Sequence, residues 1–451
     1  ILPASAFSAY LKISEGCSNR CSYCVIPSLR GAARSRPPDD ILREAERLAQ
    51  RGIREIIITA QDTTGYGRNL KGRPRLSDLL NDLTQIKGIE WIRLLYAHPA
   101  RITADLLSTI AENDKICSYI DLPIQHIDDA ILNAMKRKVN AAEIRQVIAQ
   151  IRHIIPDVAL RTSLITGFPG ETPARFNRML DFVRQTRFDH LGVFTYSREE
   201  GTEAAGLRYH VPEKEKERRR ETIMHDQMEI SASINTSLIG SVQEVIIEGK
   251  SDRPDYPYIG RCRRQAPEID GVTYIKGPSP DIGHIVKCRI TAADDYDLFG
   301  KIIRKSSYTS LFAVSNNLLI TQEFQHNMSR IKKRVDICLL QGETIFKAHL
   351  ADPSSCAIIV SYSGETSILN ETIQYLKANK IPIIAITNIG DNTTARLADC
   401  VLRICTREKL YSKIATFSTD SAIVYLLDVL YSCIFALDYD ANLQLRISTS
   451  K

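Results

Sequence analysis

From residue 40 to residue 205 two periodicities take turns along the chain. Residues 41–51 set Ile41, Leu42, Ala45, Leu48 and Ala49 on one helical face, and Gly52 closes the helix. Residues 56–59 then form a short apolar run of strand type. The cycle recurs as helix 76–86 and strand 91–95, helix 104–111 and strand 119–122, helix 142–154 and strand 159–165, and helix 173–186 and strand 190–194. Strands joined by helical crossovers lie parallel, so the pattern predicts an α/β fold with a full or partial TIM-type (βα) barrel. Chemistry in such barrels sits at the C-terminal ends of the strands. Polar clusters fall there: Gln61-Asp62-Thr63-Thr64, Pro123-Ile124-Gln125-His126, the segment from Gly167 to Thr172, and Tyr196-Ser197-Arg198.

The barrel uses less than half of the 451 residues, a length that suggests roughly three domains. Hydrophobic residues at 44% and charged residues at 25% exclude wholesale disorder, and 22 glycines exclude a collagen repeat. The net charge of +6 is too small to argue for nucleic acid by itself. No apolar run approaches the roughly 18 residues of a membrane span, and the first residues lack the charged and apolar regions of a signal peptide. A cytoplasmic chain without a membrane segment is therefore expected, and the absence of an initial Met suggests a fragment or a processed chain.

After the barrel, the run EKEKERRRE at 213–221 reads as a solvated helix face, with the helix continuing to about residue 234. Short strands at 242–247, 272–275, 284–290 and 298–303, punctuated by Gly and Pro, predict a small all-β barrel. From residue 306 the texture becomes that of an open α/β sheet, with strands at 357–360, 381–386 and 401–404 and helices at 366–378 and about 421–437. The expected domains are thus 1–236, 237–303 and 304–451, the last with its first strand hard to find.

Eleven cysteines are present, and three stand together as Cys17, Cys21 and Cys24, in a loop just after a strand at 10–13. The C-x3-C-x2-C spacing offers soft thiolate ligands for iron–sulfur chemistry or zinc. Structural zinc takes a closed set of four ligands, and here only three are close. Three thiolates on a four-iron cluster leave one iron open for a substrate or cofactor. A zinc loop completed by a distant ligand, or plain reduced thiols, are the alternatives. The other eight cysteines lie among apolar residues and read as small buried hydrophobes.

The cysteine motif opening a βα barrel resembles the radical S-adenosylmethionine (SAM) superfamily. The string AYLKISEGCSNRCSYCVIPSLRGAARSRP resembles its methylthiotransferase branch, and AQDTTGYG, DLPIQH, LRTSLITGFPGET and FTYSREEGT resemble the RimO-type family within it. That family methylthiolates an aspartate of a small-subunit ribosomal protein. By this resemblance Cys17, Cys21 and Cys24 hold a 4Fe–4S cluster whose open iron binds SAM. One electron, from a donor such as flavodoxin, then cleaves SAM to a 5′-deoxyadenosyl radical. Tyr23 matches an aromatic position near the adenine, or else packs within the loop. Gly167, Gly170 and Glu171 match a motif lining the SAM site, or else an ordinary turn. Gln61, Gln125, His126 and Arg198 are expected to face the cavity, though His126 is equally a core histidine. Arg30, Arg34 and Arg36 are candidates for the SAM carboxylate or the target, with surface solvation as the other reading. The family also carries an N-terminal domain with three further cysteines for a second cluster tied to sulfur insertion. That domain is not recognisable in this sequence, so SAM cleavage is expected here and sulfur insertion is not expected without it.

GRCRRQAPEIDG and AADDYDLFG resemble the family's TRAM domain, a target-recognition module. Residues 237–303 hold nine Lys and Arg against ten Asp and Glu, a balance that suits a basic ribosomal protein better than RNA. The last domain carries Ser361-Tyr362-Ser363-Gly364-Glu365-Thr366 between a strand and a helix, where hydroxyls and free amides can cradle a phosphate or merely cap the helix. A second hydroxyl-rich stretch, Ser306 to Ser310, stands before a helix. With ITNIGDNTTARLADCVL, these resemble the SIS (sugar isomerase) domain of RpiR-type regulators. The resemblance implies a sugar phosphate bound by Ser307, Ser361, Ser363 and Thr366, and a homodimer formed through this domain. The leading reading is a radical SAM methylthiotransferase with an appended sugar-phosphate-binding domain. A regulatory sensor with an inert enzyme part and a tRNA methylthiotransferase are the alternatives.

Overall fold

The computed structural model describes residues 5–277, 279–303, 306, 308–405, 417–437 and 439–449. Two compact units result, 1–303 and 304–451, and each is described by itself.

In the first unit, strands β1 (Ser8–Lys12), β2 (Glu55–Thr59), β3 (Trp91–Leu94), β4 (Ile116–Asp121), β5 (Ala159–Thr166) and β6 (His190–Thr195) form one sheet in sequence order. Every neighbouring pair is parallel. This is the expected partial barrel. One face of the sheet buries Ile56, Ile58, Ile92 and Leu94 against helix residues such as Ile41, Ala45 and Leu48. Those three lie one turn apart on the helix Pro38–Gln50, which explains why its pattern was legible.

The opposite face buries Ile57, Trp91 and Tyr119 against Ile246 and Ala266 of the small barrel. That barrel is closed and five-stranded, built from β7 (Val242–Lys250), β8 (Tyr258–Cys262), β9 (Thr273–Lys276), β10 (Ile285–Ala293) and β11 (Leu298–Ile302), in the order β8-β9-β11-β10-β7. The sequence reading lacked β8, because Arg261 and its polar neighbours break the apolar run. The segment after β8 seats against the N-terminal ends of the parallel strands. Arg263 donates to the Ile116 carbonyl at 2.8 Å, Arg264 to the Asp157 carbonyl at 2.7 Å, and Tyr119 to Asp270 at 2.7 Å.

The helix Glu213–Ser237 links the two parts. Its charged run is not simply a solvated face: Lys216 and Arg219 are both buried, with Lys216 Nζ on the Tyr196 carbonyl at 2.7 Å and Arg219 on Glu171.

In the second unit, β12 (Thr309–Ala313), β13 (Val335–Ile337), β14 (Cys356–Val360), β15 (Ile383–Asn388) and β16 (Cys400–Ile404) form a parallel sheet in the order β13-β12-β14-β15-β16. This is the doubly wound order in which ligands sit where the strand direction of travel reverses. The hydroxyl-rich stretch at 306–310 therefore leads into the strand β12 and not directly into a helix. That strand is the one the sequence reading could not find. The helix Phe417–Ala436 buries Ile423 and Leu427 in the core of this unit. Its segment Ser418–Ala436 is long and apolar enough to cross a membrane by length and composition alone, although no such run was expected.

Candidate active site

The cysteine loop leaves the sheet after β1 and is pinned at its base. Ser14–Glu15 pair with Arg34–Ser35, and the Cys17 amide donates to the Gly31 carbonyl at 3.1 Å. Gly16 between them has φ 75°, and a Cβ there would stand 2.5 Å from the Ala32 carbonyl oxygen, so the closure requires glycine. Further along, the Cys24 amide bonds the Cys21 carbonyl at 3.1 Å, and the Ser22 hydroxyl donates to the Ala134 carbonyl at 2.6 Å. Asn19 donates to Asp62 Oδ2 at 2.8 Å and accepts from Arg101 at 2.6 Å, while Arg101 pairs with Asp62. This triangle ties the loop to the C-terminal end of β2.

All three thiols line one cavity of about 690 Å³. Its other walls come from residues following successive strands: Gln61 and Asp62 after β2, Tyr96 and His98 after β3, Pro123 and Gln125 after β4, and Phe194 on β6. Tyr96 and Gln125 have φ 59° and 73°, left-handed backbone that is uncommon outside glycine and clusters at functional sites. Gln61 Oε1 is buried and has no hydrogen-bond partner among the described residues, an unmet acceptor in the cavity wall. Burial pushes the Cys17 and Cys24 thiols above their ordinary pKa, and burial likewise raises the Tyr23 phenol. His98 is brought down to about 3 by burial and by the Arg137 charge, so it stands neutral.

Tyr23, Gln61 and Gln125 thus share the cavity with the cysteines. Glu171, His126 and Gly167 form a separate buried cluster. Glu171 accepts from the Gly167 amide at 3.1 Å and from Arg219, and contacts His126 Nε2 at 3.1 Å. The Asp128 amide donates to His126 Nδ1, which assigns the proton to Nε2. Neither His126 nor Glu171 lines the cavity. A Cβ on Gly167 would lie 2.2 Å from Lys216 Cγ, so this glycine admits the long helix. Gly170 lies outside the cavity lining too, its carbonyl taken by Arg175 at 2.6 Å. Arg198 is exposed and donates to the Ala205 carbonyl at 2.9 Å, Arg30 and Arg34 are exposed, and Arg36 is engaged by Asp40 and Glu44.

Among the lining residues that sequence reasoning missed are three cations and one apolar side chain. Lys12 pairs with Glu15 at 2.7 Å, and Arg161 with Asp121 at 2.9 Å. Arg137 is buried, and Ile269 arrives from the small barrel. Each signal is a single polar or apolar residue in an unremarkable local pattern. Among the described residues no three His, Cys, Asp or Glu groups converge to hold a single metal ion. A four-iron cluster instead takes one thiolate per iron, and the three-thiol donor set at one cavity suits it.

In the second unit, Ser361 follows the end of β14. Its hydroxyl lies 3.1 Å from that of Thr366 and accepts from the Gly364 amide at 3.2 Å, while the Glu365 amide donates to Ser363 Oγ at 3.3 Å. Gly364 has φ 69°, and a Cβ there would overlap Asn392. Ser307 lies outside the described residues. The loop that faces the reversal point from β12 carries Ser315, with φ 54°, which sequence reasoning passed over.

Three family models match along the chain. The Radical SAM superfamily matches residues 11–183, the TRAM domain 239–303 and the SIS domain 302–432. A ribosomal protein uS12 methylthiotransferase RimO from Syntrophus aciditrophicus is 60% identical over 305 residues, covering 67% of this chain and 67% of that protein. Its counterpart from Citrifermentans bemidjiense is 50% identical over 297 residues, covering 66% of each chain. The alignments span about two thirds of the length of these relatives. Among solved structures, the sugar isomerase domain of an RpiR transcription factor from Sphaerobacter thermophilus matches at 15% identity with a TM-score of 0.29, covering 32% of this chain and 79% of that one. With a cysteine loop opening a parallel partial barrel, and 60% identity across two thirds of its length, the chain belongs to the RimO family of radical SAM methylthiotransferases.

Proposed function

We propose that this chain carries the SAM-cleaving and target-recognising parts of a methylthiotransferase acting on an aspartate of a small-subunit ribosomal protein. The observation that carries the reading is the convergence of Cys17, Cys21 and Cys24 on one cavity at the C-terminal end of the sheet. Residues in three different loops would complete the site: Tyr23, Gln61 and Gln125. When bound, a 4Fe–4S cluster and SAM supply one-electron reductive cleavage and hydrogen abstraction from an unactivated carbon.

The chain's own residues set the conditions. Without a cation, the raised thiols of Cys17 and Cys24 stay protonated, so loading the site releases protons. Ile26, Phe194 and Ile269 give the cavity an apolar rim that limits water, and Phe194 and Ile269 are also exposed enough to meet a target loop. Neutral His98 adds no competing charge. Because Ile269 belongs to the small barrel, a protein docked there also meets the cavity.

Gly167, Gly170 and Glu171 are read as shaping the cavity from behind, and Arg198 as supporting its outer loop. Sulfur insertion is read as needing a further cluster beyond these three cysteines. A low-potential donor of the flavodoxin class would deliver the electron, in a cytoplasmic setting. In the second unit, Ser361, Ser363 and Thr366, with Ser307, are read as a sugar-phosphate site in a domain that pairs with its copy.

Iron and acid-labile sulfide after anaerobic reconstitution test the main reading. About four irons per chain are expected, lost on Cys17→Ala, Cys21→Ala, Cys24→Ala, with SAM cleavage following under reducing conditions. No iron, or a single zinc, would overturn it.

A further inference from the structure

The cations of the cavity wall differ in one respect. Lys12 is neutralised by Glu15 and Arg161 by Asp121. Arg137 is only 6% exposed, yet among the described residues no carboxylate pairs with it. One arm of its guanidinium, Nη2, donates to the Pro123 carbonyl, which is neutral. The other, Nη1, lies 3.8 Å from Cys21 Sγ, within reach of an N–H···S bond. Nε is buried with no partner among the described residues. A buried, unneutralised guanidinium is costly unless an anion is brought to it.

The backbone is bent to hold it there. The short helix Asp129–Ala134 ends three residues before, and the Arg137 amide returns to the Leu132 carbonyl at 3.0 Å. Lys136 and Lys138, on either side, both take left-handed backbone, with φ 57° and 51°. Two such non-glycine residues flanking one position store strain, which persists where the surroundings impose it. The result is that the two lysines are exposed while Arg137 alone turns inward.

We infer that Arg137 is a positioning residue for the redox step: its charge and its N–H···S contact to Cys21 stabilise the reduced, more negative state of the cluster. The inference rests on the reading that Cys17, Cys21 and Cys24 hold that cluster. Reduction adds one electron, from a low-potential donor, and no proton. The added negative charge lies beside a cation that the protein leaves without a counter-ion. Hydrogen bonds to ligating sulfur and net local charge both set cluster potentials.

The test is a one-electron potentiometric titration of the whole chain, reconstituted anaerobically and followed by absorbance and electron paramagnetic resonance. Arg137→Met should keep its iron and move the midpoint potential to more negative values. Arg137→Lys, which keeps the charge without the fork, should fall between Met and wild type. A fully loaded Met variant with the wild-type midpoint overturns the inference and leaves the cysteine reading standing. A wild-type chain that takes up no iron overturns both. Where the Met variant does not fold, Arg137→Gln carries the same comparison, since it retains a polar amide and loses the charge.

Discussion

Arg261 on the small barrel lies with Nη2 2.6 Å from Glu55 Oε2 at the start of β2, and both side chains are buried. Glu55 also receives Ser8 Oγ at 2.7 Å and Arg93 Nε at 3.1 Å. One carboxylate thus joins the edge strand, two inner strands and the small barrel. Burial pushes this carboxylate up, but Arg261 and Arg93 outweigh burial and bring it from 4.5 down to about 2. Its folded pKa is depressed, so its contribution is complete above pH 4.5 and is lost as pH falls toward 2. The contribution is on the order of 3 kcal/mol. Denaturant midpoints should therefore drop between pH 6 and pH 3 in wild type. Glu55→Gln should be less stable at neutral pH by about 3 kcal/mol or more, because two guanidinium groups lose their partner, and should show a flatter acid limb. Parallel acid limbs in the two proteins would show that Glu55 is not the group responsible.

Gly167→Ala should destabilise the first unit by about 2 kcal/mol or more, since it combines left-handed backbone with a steric overlap. The overlap is with Lys216 Cγ, 2.2 Å from the added Cβ. Gly201→Ala is the matched control, with φ 77° and nothing within 4 Å of the new atom. It should cost only the backbone term, about 1 kcal/mol. Chemical denaturation of both variants separates packing from conformation, and equal losses would remove the steric part.

Ile269→Ala should weaken binding of the protein target while leaving target-free SAM cleavage nearly unchanged. The side chain is 48% exposed and lines the cavity from the small barrel. Losing its apolar contact with a docked loop corresponds to roughly a tenfold rise in Kd for the target. A comparable fall in SAM cleavage without target would mean that Ile269 merely shapes the cavity.

Ser361→Ala should abolish stabilisation of the second unit by a sugar phosphate. The hydroxyl organises the loop through Thr366 and the Gly364 amide. A ligand at a hundred times its Kd adds about 2.7 kcal/mol, which a thermal shift of the whole chain reads directly. An unchanged shift in the variant would place the ligand elsewhere.

Much of this architecture is legible without coordinates because it rests on local periodicity. A 3.6-residue apolar repeat and a short apolar run can each be satisfied only by burying one face, and their alternation leaves a parallel sheet as the solution. Cys17, Cys21 and Cys24 are legible because their spacing within one loop is itself the chemical signal. The strand Tyr258–Cys262 was not, since Arg261 is charged and finds its partner 206 residues away in Glu55. Thr309–Ala313 begins inside the hydroxyl-rich stretch expected to stand before a helix, yet it is a strand, paired with β13 on one side and β14 on the other. In the run at 213–221, Lys216 and Arg219 look solvated until Tyr196 and Glu171 are brought beneath them.

The sequence by itself determined the alternation of helix and strand in the first unit and the thiol set, because each depends on neighbours along the chain. Only the tertiary structure decided which charges are interior and which loops share a cavity. Arg137, Arg161 and Ile269 meet the cysteines across long separations, and burial of a charge depends on partners that local sequence does not contain. Glu171 and His126 show the converse: they sit in motifs that point to the cavity, and packing turns them toward Arg219 and each other.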